Sequence, residues 1–114
     1  MVLLFGSRAS DRAQLQSDFD VAYLSQSPLD IMNEARLSCD LMPIFKSEKI
    51  DLVNLKKAPP LLMKRIFDQH QILFCADKIQ YFSYLMYALR KYLEAKPLFQ
   101  LRDEAMAEFL KTHA

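Results

Sequence analysis

Three aspartates, Asp18, Asp20 and Asp51, stand near the beginnings of two stretches that otherwise read as apolar strands, DFDVAYLS (18–25) and KIDLVNL (49–55). Residues i and i+2 of a strand point to one face about 6.6 Å apart, at two rises of about 3.3 Å. Asp18 and Asp20 therefore project together, ahead of Ala22 and Leu24, and Asp51 leads Val53 and Leu55 in the same way. Crowded carboxylates raise one another's pKa unless a cation is present. Magnesium suits such a site, because it takes hard oxygen ligands from a few carboxylates and completes its shell with substrate phosphates. Two ions about 3.5–4 Å apart would activate an incoming hydroxyl and carry a triphosphate. The single glycine of the chain, Gly6, ends the apolar run VLLF and is followed by Ser7. Gly6 lets the backbone approach a phosphate closely, and Ser7 adds a hydroxyl at an expected helix start. Taken singly, each of these features is an ordinary turn or a solvated strand end. Their joint order and spacing carry the reading.

The elements must bring these residues together. Val2–Phe5 reads as a strand buried on both faces, and 7–16 as a short polar helix or helical turn. After the strand at 18–25, Ser27 at an N-cap, Pro28 at N1 and Asp30 at N3 predict a helix start. That helix is expected to stop near Leu41, because Pro43 biases Met42 out of helical geometry. The third strand, 49–55, is followed by a helix over 60–68 and a fourth strand over 71–75. A long helix over 77–95 carries Ile79, Phe82, Met86, Leu89 and Leu93 at spacings of three and four, a stripe expected to be buried. Pro97 is expected to break it, leaving a last helix over 98–111 with Leu98, Leu101, Ala105 and Phe109 inward.

A helix between the second and third strands implies a right-handed crossover and a parallel pair. Asp18, Asp20 and Asp51 then share one edge of the sheet. Gly6 and Ser7, at the end of the first strand, reach that edge only if this strand runs antiparallel to the other two. The chemistry predicts a mixed α/β (α+β) fold, with a small sheet of about four strands flanked by helices.

The 114 residues, 52% hydrophobic and 25% charged, suit one globular domain with a core over about 2–75 and a helical part over about 77–111. A net charge of +1 argues against a broad nucleic-acid-binding surface. No apolar run approaches the roughly 18 residues of a membrane span, and there is no secretory apolar segment. Cys39 and Cys75, far apart and without metal spacing, are expected to be buried reduced thiols of a cytoplasmic protein.

The segment GSRASDRAQLQSDFD, with Gly6-Ser7, ten residues and then Asp18-Phe19-Asp20, resembles the signature of the nucleotidyltransferase superfamily that includes DNA polymerase beta. IDLVNL resembles the strand of that family's third acid, and the likeness spans about 2–75. The small size points to the minimal nucleotidyltransferases, the MNT group, often the antitoxin half of HEPN–MNT toxin–antitoxin pairs. The resemblance implies that Gly6 and Ser7 bind the triphosphate and that Asp18 and Asp20 hold Mg2+; Arg8, next in the chain, is a further nucleotide-binding candidate by its closeness to them. It implies that Asp51 completes the metal site and helps deprotonate the acceptor hydroxyl. The reaction implied is transfer of AMP from ATP to a tyrosine of a HEPN toxin. The alternatives are a non-catalytic antitoxin and a transferase acting on a small molecule such as an aminoglycoside. Relatives usually carry a helix before the first strand. The surface it would cover is therefore expected to be masked by the C-terminal helices, a twin subunit or a partner.

Other features carry less. Arg65 to His70 fits the R-x4-H pattern of HEPN ribonucleases, but at a helix end and turn rather than along a groove. Tyr81, Tyr84, Tyr87 and Tyr92 flank the apolar stripe of the long helix, as core or as interface. Arg8, Arg12, Lys56, Lys57, Lys64 and Arg65 read mostly as solvated charges, with Arg8 and Arg12 nearest the proposed phosphate site.

Overall fold

The computed structural model describes residues 1–9 and 18–113. Four strands, β1 (Val2–Phe5), β2 (Phe19–Tyr23), β3 (Ile50–Asn54) and β4 (His70–Phe74), form one sheet in the order β3-β2-β1-β4. β1 runs antiparallel to both β2 and β4, while β2 and β3 are parallel. This is the mixed sheet that the shared edge requires.

Among the described residues three α-helices flank the sheet: α1 (Ile31–Phe45), α2 (Pro60–Asp68) and α3 (Lys78–His113). The alternation of side chains along each strand divides the core in two. On one face Leu3, Phe5, Ala22 and Leu55 pack with Met63 and Ile66 of α2 and with Tyr84 and Ala88 of α3. On the other, Leu4 and Val21 pack with Leu41 of α1, and the Phe19 and Phe45 rings stack with centroids 4.4 Å apart. β1 and β2, paired on both sides within the sheet, are the most deeply buried strands.

Several helix boundaries differ from expectation. α1 begins after Asp30, not Ser27: the Asp30 carboxylate accepts from the Asn33 N–H at 2.8 Å, and its carbonyl accepts from Glu34 N–H at 2.9 Å. Asp30 is the better-placed cap because Ser25 and Ser27 are tied into a bend, with the Ser25 hydroxyl on the Ser27 carbonyl at 2.6 Å. α1 also continues through Pro43 to Phe45. The proline removes one hydrogen bond in the last turn, where buried Leu41 and the stacked Phe45 ring hold the helix. Lys46, at φ 54°, then closes the helix through its N–H on the Met42 carbonyl.

Pro97 likewise does not divide the last helical region, and α3 runs unbroken over 36 residues. Residues on either side of it, rich in Leu, Ala, Lys, Glu, Arg and Met, favour helix strongly enough to continue past one missing bond.

The larger correction concerns which face of α3 is buried. Ile79, Phe82, Met86 and Leu93 are 77%, 60%, 65% and 54% exposed, and Leu98, Leu101, Ala105 and Phe109 are exposed as well. The inward face is the neighbouring one, with Tyr84 and Ala88 buried and Tyr81 packed at its margin. Ala88 permits close approach to α2. The Tyr84 hydroxyl donates to the Leu55 carbonyl at 3.2 Å, so burial leaves its polar end satisfied. Nor are the cysteines both buried: Cys39 is exposed on α1 and Cys75 is half-buried after β4, both as free thiols. The polar helix expected over 7–16 is a 3-10 turn over Gly6–Ala9, and its remainder, with Arg12, lies outside the described residues.

Candidate active site

The register of the sheet carries the site. Asp20 of β2 pairs with Asp51 of β3 on one side and with Phe5 of β1 on the other, and Phe5 pairs in turn with His70 of β4. Paired residues in adjacent strands point to the same face. Asp51, Asp20, Phe5 and His70 therefore form one row across the sheet, on the face that α2 and α3 cover. Phe5 is buried, Asp20 is half-buried and Asp51 is exposed, so the row opens to solvent at its β3 end.

Gly6 follows Phe5 directly, at φ 75°, a left-handed conformation that side chains disfavour. A side chain there would also run into the Asp20 carboxylate, whose carbon lies 3.2 Å from the position a Cβ would take. The glycine thus gives the carboxylate its room and turns the chain into the 3-10 segment that carries Ser7 and Arg8. Arg8 lays its guanidinium over the Phe19 ring at 4.4 Å. Asp18 precedes the first residue of β2 and is exposed.

Electrostatics link the acids. The Asp20 carboxyl is raised above the ordinary carboxylate range by its burial and by the charge of Asp51. The positive charge of Arg65 on α2 opposes the shift, and Asp18 adds to it. Among the described residues, no three carboxylate, thiol or imidazole groups are gathered as a closed metal cage. Two register-paired carboxylates and an exposed third instead fit an ion that draws the rest of its oxygen ligands from substrate phosphates, as magnesium does.

His70 is engaged on both ring nitrogens. Nδ1 lies 2.8 Å from the Ile66 carbonyl, which can only accept, so Nδ1 donates there, and Nε2 lies 2.5 Å from the Tyr81 hydroxyl. The imidazole ties the end of α2 to α3, and the histidine of the R-x4-H pattern here serves that joint. Sequence reasoning missed the placement of Arg65, because nothing local distinguishes it from its solvated neighbours.

The mixed sheet, the glycine turn and the paired carboxylates define a nucleotidyltransferase architecture. The family model described as polymerase beta, nucleotidyltransferase, matches residues 1–79, and the chain belongs to that family. No curated protein matches it. Among solved structures, a chain of a toxin–antitoxin complex with AMP-PNP is 24% identical, with a TM-score of 0.74 over 92% of this chain and 84% of that one. A chain of a complex between tri-AMPylated Shewanella oneidensis HEPN toxin and MNT antitoxin is 23% identical, with a TM-score of 0.68 over 92% and 81%. A chain of the toxin–antitoxin MntA–HepT gives the same identity, TM-score and coverage. These likenesses show a common fold. Among the described residues, no helix is long and apolar enough to cross a membrane.

Proposed function

We propose that this chain transfers AMP from ATP to a hydroxyl of a partner protein, a tyrosine of a HEPN-type toxin, and so acts as the antitoxin of a pair. The observation that carries the reading is the Asp20–Asp51 register pair, with Gly6 packed against the Asp20 carboxylate. The family is one of nucleotidyltransferases, and solved structures of the same fold contain an ATP analogue in one case and an AMPylated HEPN toxin in another. The uncovered apolar stripe of α3 supports a protein acceptor, since monomeric soluble proteins rarely leave so extended a face bare. In this reading residues 1–114 act as one domain of a cytoplasmic protein, the sheet handling nucleotide and α3 receiving the partner.

In the reaction, the acceptor oxygen attacks the α-phosphorus of ATP. The bond from that phosphorus to the oxygen bridging toward the β-phosphorus breaks, and pyrophosphate leaves with the electron pair. The acceptor proton passes to the Asp51 carboxylate, which stands at the open end of the row. Asp18, Asp20 and Asp51 would supply oxygen ligands for Mg2+, which would neutralise phosphate charge and make the hydroxyl more acidic. Gly6 and Ser7 hold the phosphates, and Arg8 lies in the same turn.

The test is incubation of the chain with ATP, magnesium and its HEPN-type partner, followed by intact mass of the partner. The expected result is a gain of AMP units that falls more than about 100-fold on Asp20→Asn, a larger loss than removing a group that merely supports a metal ligand. Neutralisation of the partner with no mass gain, unaffected by Asp20→Asn, would show an antitoxin that works by binding alone.

A further inference from the structure

The row Asp51–Asp20–Phe5–His70 continues into α2. The His70 ring bonds the carbonyl of Ile66 at 2.8 Å, and the Ile66 side chain is only 1% exposed, packed into the core beneath. The end of α2 is thereby held over the same face and the same edge that carry Asp20. Arg65 precedes Ile66 by one position, about 100° around the helix, so its side chain leaves the core and is exposed. Its positive charge acts on the Asp20 carboxyl.

Its neighbour Lys64 is occupied, ion-paired with Asp68 one turn further along α2. Arg65 has no ion pair among the described residues. A guanidinium at the end of a helix that lies over the face of the paired acids, with no ion pair among the described residues, is suited to an incoming polyanion, because its planar fork matches phosphate oxygens two at a time.

We infer that Arg65 is a nucleotide-binding residue that takes the β- and γ-phosphates of the bound triphosphate. The inference rests on the reading of this edge as a nucleotide site and adds a group from outside the Gly6–Ala9 turn and the three acids. The same contact follows the leaving pyrophosphate, so Arg65 acts on binding and on departure of the leaving group alike.

The experiment compares the full chain with Arg65→Ala and Arg65→Lys for binding of ATP and of AMP in the presence of magnesium, by titration calorimetry. Arg65→Ala is expected to weaken ATP binding about 10- to 100-fold and to leave AMP binding within about 3-fold, as loss of a charge-assisted phosphate contact predicts. Arg65→Lys is expected to recover part of the ATP affinity, because it restores the charge without the fork. Thermal unfolding of the variants, expected to match the parent chain, separates this outcome from general damage. Equal weakening of ATP and AMP, or unchanged ATP binding by Arg65→Ala, overturns the role of Arg65 while the nucleotide site stands. Failure of the parent chain itself to bind ATP overturns both.

Discussion

Gly6 and Asp20 constrain each other. The left-handed backbone at Gly6 and the carboxylate packed against it leave no room for a methyl group. Gly6→Ala is therefore expected to lower the unfolding midpoint by roughly 5–10 °C, from a conformational penalty of about 1–2 kcal/mol. It should also push Asp20 from its place, so nucleotide transfer should fall together with stability, read from intact-mass rates and thermal melts on one preparation. A second residue reports on the core. Burial, and then the neighbouring Tyr87, push the Tyr84 phenol up from its ordinary 10.0 to about 12. The folded chain therefore holds this proton more tightly than the unfolded chain. The resulting stabilisation is present in full below pH 10 and is lost as pH rises through about 12. Urea melts across that window should show a slope of at most about 1.4 kcal/mol per pH unit from this group, absent in Tyr84→Phe.

At the scale of elements, the four strands and the helices between them were legible in order because each rests on a local signal. The run VLLF, the alternation around Val21 and Val53, and Pro60 at a helix start are all short-range patterns. Boundaries were less legible because competing local signals must be weighed against packing. Ser27-Pro28 and Asp30 both look like helix starts, and only the bend at Ser25–Ser27 leaves Asp30 as the cap. Asp30→Ala is accordingly expected to destabilise the chain by about 1 kcal/mol, the usual value for a lost N-cap. Ser27→Ala should stay within about 0.5 kcal/mol, as exposed residues outside caps do. Chemical denaturation of the two variants checks the assignment, and equal effects would sink it. Pro43 and Pro97 teach the complementary lesson. A proline marks a weak point in a helix, but whether the chain stops there depends on what holds the turns on each side.

The whole molecule shows α3 with two apolar faces and a core that needs only one. The Tyr84–Ala88 face is inside, and the stripe of Ile79, Phe82, Met86 and Leu93 is outside. The double substitution Met86→Glu with Leu93→Glu should therefore leave unfolding nearly unchanged, since neither side chain contributes to the core. It should weaken association with the HEPN-type partner by more than about 10-fold, as loss of buried apolar anchors does. Co-purification and thermal melts together separate the two effects. A collapse of stability would return the stripe to the core, contrary to its exposure.

Which residues could do the chemistry, and in what order they occur, was already written in the chain. A helix between two strands requires a parallel pair, and that rule alone brings Asp20 and Asp51 to one edge. It also required β1 to run the other way for Gly6 to arrive there, as it does. Three features of the site emerged only on folding: Asp20 pairs in register with Asp51, Gly6 makes room for the Asp20 carboxylate, and the charge of Arg65 acts on Asp20. The choice of the inward side of α3 emerged there too. Spacing along a chain reports the period of an element, and periodicity alone cannot choose between two apolar faces or reveal a charge that arrives from another helix. Those outcomes depend on contacts between residues far apart in sequence, such as that of the buried Tyr84 hydroxyl with the Leu55 carbonyl.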